Sequence, residues 1–326
     1  MMTLESSVIE FNIANRTFKS LSLNDLNVTE KNKDKIYWIH CNLNQTGDLI
    51  QLTEKLHLSD EVINLCHQEE TIAKIIDTDE TLTIQIQCLL STELNNVDEV
   101  NYSNLIIHLT SNYCFTASYE PLPVLIEFSN TYQKALRYAK TPCFILFLLL
   151  DNTVNDYAKI LFNLELFSEK MDINVRRAHD NTYNKVMEMK QQIMKMKRHM
   201  IAVREILMRI SGRKIAVVSE QCRASLYNLS NHSHLVIHEV DSMRDMLNSL
   251  LDQIDNSLMQ KMNETMRILT TFASIFFPLT LITGIYGMNF HWIPELSWKY
   301  GYFYALGLII FFAGMMLFIF KKLKWF

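Results

Sequence analysis

The rhythm of hydrophobic positions changes along this chain. Over residues 1–150, β-branched and aromatic side chains come in short, partly alternating runs: Val8 to Ile13, Lys35 to Cys41, Thr81 to Leu90, Asn104 to Leu109 and Tyr113 to Ser118. Runs of this length and period predict β-strands. Between them, Asp48 to Cys66 and Pro121 to Tyr138 carry a helical pattern. The combination predicts an α/β domain built on one mixed sheet. From Phe144 to about Ser211 the pattern is helical throughout, and Ser211-Gly212-Arg213 is the strong break.

After a shorter helix near Lys214 to Leu229, a second long helix is expected from about Ser230. Val236, Val240, Met243, Leu247, Leu250 and Ile254 alternate steps of four and three, the heptad spacing of a packed seam. An ordinary amphipathic helix lying on its own domain accounts for that spacing equally well. Neither Pro nor Gly interrupts the chain between Ser230 and Pro278. The expectation is therefore one rod about 90 Å long that enters a membrane. Residues 151–267 are read as a helical region containing this stalk, and 268–326 as a transmembrane hairpin.

The hairpin rests on two uncharged stretches of 21 residues, Ile268 to Met288 and Tyr300 to Phe320. As helices each would be about 31 Å long, the thickness of a bilayer's hydrocarbon core. The other apolar run, Cys143 to Leu150, is too short to span and reads as the start of a buried helix. Lys261 and Arg267 precede the first span, and Lys321, Lys322 and Lys324 follow the second. In the connecting loop Lys299 is balanced by Glu295. The positive-inside rule then puts both termini in the cytoplasm, with Trp292, Trp298, Tyr300 and Trp325 at the interfaces. A buried helical hairpin in a soluble protein is the competing reading.

Composition adds mainly exclusions. The formal charge of −4 and the lack of a basic stripe argue against nucleic acid as a partner. Met1 to Lys19 carries acids early and has no apolar core, so it does not read as a secretory signal. Cys41, Cys66, Cys88, Cys114, Cys143 and Cys222 are scattered without a C-x-x-C pair, which fits reduced thiols better than a disulfide framework. No Walker loop, G-x-G-x-x-G or H-E-x-x-H is present, so neither catalytic residues nor a cofactor is expected. His234 and His238 share a helix face at a spacing that could hold zinc, but no third ligand is evident, and a solvated or packed pair is favoured.

Within the first span one stripe stands out. Asn263, Met266, Thr270, Ala273, Phe277, Thr280, Gly284 and Gly287 follow steps of three and four, and apart from Met266 and Phe277 they are small or weakly polar. Such a face serves close helix packing or lines a water-filled pore, and spacing alone favours packing. A pore of this chemistry would hold no carboxylate to trap a divalent ion. Amide and hydroxyl oxygens suit the passage of Mg²⁺ with its water shell intact. Two spans cannot enclose a path, so several copies would surround it.

The stretch Tyr286-Gly287-Met288-Asn289-Phe290, followed by Pro294-Glu295-Leu296, resembles the CorA family of magnesium transporters. The likeness continues through Asn263 to Thr270, Phe277 to Thr280, Trp298 to Tyr302 and Phe320 to Trp325, and is thinner upstream, at Trp38-Ile39 and His67-Gln68. It implies a homopentamer with a cytoplasmic funnel, in the inner membrane, passing Mg²⁺, Co²⁺ or Ni²⁺ as transported cargo. By position, Gly287, Met288 and Asn289 would form the selectivity filter, and Thr280 and Asn263 further polar rings. Met266 and Leu269 would form a hydrophobic gate on the cytoplasmic side. Phe277 stands where close relatives are expected to carry Met. Ile293 replaces a Met in the loop.

The departures bear on metal handling. His291 stands where relatives often carry Glu, leaving Glu295 to concentrate cations. Imidazole favours softer metals than Mg²⁺, although an exposed loop histidine is more often incidental. The family is thought to sense cytoplasmic Mg²⁺ through carboxylates bridging neighbouring soluble domains. Here Asn228 and Asn231 occupy the region just before the stalk. The candidate regulatory site is therefore Asp77, Asp79, Glu80 and Asn228, against the plainer reading of an acidic turn. Two other functions fit the same sequence, a membrane-anchored scaffold or sensor and a zinc-type transporter of a related family.

Overall fold

The structure, a computed structural model, describes residues 5–26, 28, 34–68, 73–78, 80–92, 100–175, 180–289, 291, 293–323 and 325. It divides into two compact units, Met1–Leu251 and Asp252–Phe326.

The first unit is built on a seven-stranded sheet. Its strands are β1 (Ser7–Asn12), β2 (Thr17–Leu21), β3 (Lys35–Asn42), β4 (Lys74–Asp77), β5 (Leu82–Leu89), β6 (Tyr102–Leu109) and β7 (Tyr113–Ser118), in the spatial order β2-β1-β3-β7-β6-β5-β4. The β3–β7 pair is parallel and the other pairs are antiparallel, so the sheet is mixed, as the sequence predicts. Every residue of β5 and β7 is buried, polar Thr83, Gln85, Gln87, Thr116 and Ser118 included.

Alternation along β3 sends successive side chains to opposite faces. Ile39, paired with Phe115, faces α1 (Thr46–Leu56) and α2 (Asp60–His67), where Leu49, Leu52, Leu56, Val62 and Leu65 close one core. Trp38 faces the other way. Its indole N–H donates to Thr116 Oγ1 at 3.1 Å, and its ring meets Phe128 of α3 (Pro123–Ala135) edge-on at 4.6 Å. Farther along the sheet, Tyr157 of α4 (Cys143–Val175) donates its hydroxyl to the Gln87 carbonyl at 3.0 Å. Helices thus cover both faces.

Differences from the sequence reading have local causes. The sequence carries no strong strand pattern at β2 or β4. Both are short, lie at the sheet edges and lack a fully buried residue, so neither carries a strong hydrophobic period. The helix expected over Asp48–Cys66 is two helices, because His57 adopts a left-handed φ of 50° that ends α1. Beyond α5 (Asp180–Gly212), the separate helix expected near Lys214–Leu229 is instead the start of α6 (Glu220–Tyr286). Ser219 caps this start, its Oγ accepting from the Cys222 amide at 3.3 Å. From there 67 residues run without a break. Val236, Val240, Met243, Leu247 and Leu250 of the heptad seam are all buried. Lys197 of α5 pairs with Asp241 of α6 at 2.5 Å.

The expectation of six reduced thiols is corrected. Cys143, the first residue of α4, and Cys222, in the first turn of α6, form a disulfide across a sequence separation of 79, their Cα atoms 6.4 Å apart. Nothing in the spacing of the cysteines announces that these two helix starts meet. Cys41, Cys66, Cys88 and Cys114 are free and buried.

In the second unit α6 continues to Tyr286, a 3-10 turn forms at Pro294–Ser297, and α7 spans Gly301–Lys322. Among the described residues, α6 and α7 are long and apolar enough to cross a membrane, and only 6% of the most apolar window of each is buried within the chain. A soluble core hairpin would hide those windows. Trp325 folds back on Phe320, the rings stacked at 5.3 Å.

Candidate ion pathway

An α-helix turns about 100° per residue, so steps of three and four stay on one side. On α6 that side carries Asn263, Met266, Thr270, Ala273, Phe277, Thr280 and Gly284, and Gly287 follows in the turn after the helix. All eight are exposed, Met266 at 54% and Phe277 at 74%, as is Leu269 beside them at 62%. The opposite side holds buried Thr271 and half-buried Ser274, Ile275, Pro278, Leu279, Ile282 and Tyr286. Bulky Phe272, Phe276, Leu281 and Ile285 are exposed on the flanks. A narrow band of small and polar groups therefore runs between apolar borders, and it contains no carboxylate.

Hydroxyls beside the band are returned to the helix. Thr271 Oγ1 donates to the Arg267 carbonyl at 2.8 Å, and Thr283 Oγ1 to the Leu279 carbonyl at 3.1 Å. That removes most of the cost of a hydroxyl in an apolar medium. Pro278 lies inside α6 and offers no N–H to the carbonyl of Ser274, which loosens the helix at the middle of the band.

The helix ends where the motif begins. The Gly287 amide donates to the Thr283 carbonyl at 2.9 Å and the Met288 amide to Ile285 at 3.3 Å, tightening the last turn. A Cβ on Gly287 would stand 3.0 Å from the Thr283 carbonyl oxygen and 3.6 Å from that of Gly284, so a side chain there would push on the turn. Met288 and Asn289 follow, both exposed, at the open end of the band. Phe290 and Trp292 lie outside the described residues. His291 and Glu295 are exposed in the connection, which Gly301 closes through its amide to the Trp298 carbonyl at 3.0 Å.

The candidate regulatory residues are less of a unit. Asp77, at the end of β4, lies 3.9 Å from the Arg213 guanidinium, while Glu80 and Asn228 are exposed and Asp79 lies outside the described residues. Among the described residues of a single chain, no group of three His, Cys, Asp or Glu side chains could hold a metal ion. That includes His234 and His238, whose rings meet edge-on at 4.4 Å.

A mixed α/β unit, a long helix and a C-terminal pair of apolar helices separated by a Gly-Met-Asn turn define one class of membrane protein. Residues 33–322 match the family described as CorA-like Mg²⁺ transporter protein, and the chain belongs to that family. Among curated relatives it is similar to the cobalt/magnesium transport protein CorA of Thermotoga maritima, 30% identical over 195 residues, covering 60% of this chain and 56% of that protein. It is also similar to the cobalt/magnesium transport protein CorA of Methanocaldococcus jannaschii, 22% identical over 295 residues, covering 89% of this chain and 92% of that one. The chain thus matches little more than half the length of the first relative and nearly all of the second. Among solved structures, the complete CorA magnesium transporter from Methanocaldococcus jannaschii superposes with a TM-score of 0.87 over 100% of both chains at 20% identity, a likeness of fold.

Proposed function

We propose that this protein carries divalent cations, Mg²⁺ foremost and Co²⁺ or Ni²⁺ as competitors, through an inner membrane as hydrated ions. The observation that carries the reading is the exposed band on α6, small and polar between apolar borders, which ends at Asn289. Lipid would be a poor solvent for that band, and a shared aqueous axis between copies of the chain a good one. In a homopentamer, five α6 helices would surround the axis and five α7 helices would face lipid. Asn289 would offer amide oxygens to the ion's water shell, with Gly287 and Met288 shaping the turn that presents it. Thr280, Thr270 and Asn263 would supply further polar rings, with Ala273 and Gly284 leaving room between them and Phe277 narrowing the bore. Met266 and Leu269, without polar groups, would shut the path by dewetting. Glu295 would draw cations to the mouth by its field, with His291 beside it, and both termini would lie in the cytoplasm.

Metal uptake into liposomes containing the purified protein tests this. The Asn289→Ala variant is expected to lose Mg²⁺ flux by about tenfold or more while still inserting and assembling. Undiminished flux in that variant removes Asn289 from the pathway. No flux of Mg²⁺, Co²⁺, Ni²⁺ or Zn²⁺ through the unaltered protein would point to a membrane-anchored scaffold, and flux of Zn²⁺ alone to a zinc-type transporter.

A further inference from the structure

In the first unit, α5 packs against β5 beside a cavity of about 540 Å³. Lys195, Arg198, His199 and Ala202 fall on one side of the helix and form one wall, and Gln87 of β5, Tyr102 at the start of β6 and Ala73 form the other. Two cations and an imidazole line the space, and no carboxylate does. The Tyr102 hydroxyl is buried and has no hydrogen-bond partner among the described residues. Leaving a buried hydroxyl unpaired costs about 1–3 kcal/mol, so a group that accepts from it would be welcome. The Tyr102 ring is held by the His199 imidazole, centroids 4.5 Å apart, and backed by Tyr157 at 6.3 Å, so the hydroxyl has little freedom to turn away.

A second cavity of about 390 Å³ shares Ala73 and Ala202 with the first and continues along α5 past Ile75, Ile76 and Ile206. The small side chains at the join leave a groove that is cationic at one end and, at the other, sets Ile75, Ile76 and Ile206 among Lys74, Glu205 and Arg209. We propose that this groove binds a phosphorylated small molecule, the phosphate between Lys195, Arg198, His199 and the Tyr102 hydroxyl, the organic part over Ile75, Ile76 and Ile206. Guanidinium and ammonium donors give phosphate its strongest hydrogen bonds, and the combined space is that of a mononucleotide-sized ligand.

The state of the groups fits an anion. Burial pushes the Tyr102 phenol above its ordinary range, so it remains a donor. Burial, then the charges of Arg198 and Lys195, hold the His199 imidazole below its usual value. A phosphate would offset those charges and make His199 easier to protonate. The proposal concerns the first unit alone and does not depend on ion transport.

The test is equilibrium dialysis of the full-length protein in nanodiscs, at fixed free Mg²⁺, against radiolabelled AMP and inorganic phosphate, with adenosine as a competitor. Saturable binding of AMP is expected, weakened about tenfold or more in Lys195→Gln/Arg198→Gln and severalfold in Tyr102→Phe. Lys134→Gln, at an exposed position of α3, should leave it unchanged. Phosphate binding as tightly as AMP assigns the site to the free ion, and AMP binding much more tightly assigns it to a nucleotide-like ester. In either case the ring resonances of His199, identified by His199→Gln, should titrate at higher pH with ligand bound. Absence of saturable binding by both probes, or binding that Lys195→Gln/Arg198→Gln leaves intact in a protein that elutes as the unaltered assembly, overturns the proposal.

Discussion

Gly301 shows how a single hydrogen atom in place of a side chain can set the geometry of a connection. Its amide holds the Trp298 carbonyl at 3.0 Å, and a Cβ there would collide with the carbonyl oxygen of Glu295. The collision is with backbone, so no rotamer change relieves it. Gly301→Ala should therefore lower the stability of the hairpin by about 1–3 kcal/mol. It should also displace Glu295. Thermal unfolding of the purified protein, together with the Mg²⁺ concentration at half-maximal flux, checks both effects, and an unchanged melting temperature would count against the collision. At this scale the sequence was legible where chemistry is contiguous. Gly287-Met288-Asn289 can be recognised without coordinates because the motif is local and sits at the end of a span. The disulfide of Cys143 with Cys222, and the cluster of Tyr102 with Lys195, Arg198 and His199, join residues far apart in the chain, and no local pattern foretells them.

Among the elements, α6 carries most of the functional argument. Met266 and Leu269 are exposed on the side of the helix that also bears Asn263 and Thr270. If this apolar pair closes a path by shedding water, hydroxyls there should hold the path wet. Met266→Ser/Leu269→Ser is expected to raise basal flux severalfold in liposomes, and to keep it high when Mg²⁺ is also abundant inside. Flux in the variant that still falls as internal Mg²⁺ rises would move the gate elsewhere. Uninterrupted lack of charge revealed the apolar spans, and periodicity the heptad seam, whose burial is sustained over several turns. Periodicity failed at β2 and β4, which are short edge strands, and at His57, where one left-handed residue cuts a helical pattern in two. It also left the band on α6 ambiguous, since small residues serve close packing as readily as a pore.

For the whole molecule, pH is the most telling perturbation of stability, and its sign follows from two histidines in the sheet. His40 and His108 are buried beside Thr116 and Thr83, with Nδ1 at 3.2 and 2.7 Å from the threonine hydroxyl oxygens. Burial lowers each imidazole from 6.5 to about 4. Unfolding restores the ordinary value, so the unfolded chain takes up protons first as pH falls. The stabilisation is complete above pH 6.5 and is lost progressively as pH falls through 4, by at most about 3 kcal/mol for each histidine. Urea unfolding of the first unit, followed by hydrogen exchange in the full-length protein between pH 7.5 and 4.5, should show this decline. In His40→Gln/His108→Gln the curve should be flatter over the same interval, whatever the absolute stability of the variant. An equally steep curve would assign the acid sensitivity to carboxylates.

The bond between Cys143 and Cys222 has a topological consequence. It turns everything between those positions, α5 and nearly all of α4 included, into a covalent ring with a separation of 79 residues between its closing points. Closing a ring of that size removes about 4.5 kcal/mol worth of freedom from the unfolded chain in the simple polymer account. A protease that severed one peptide bond inside the ring would leave the protein in one piece, and two fragments would part only after a reductant had opened the sulfur link.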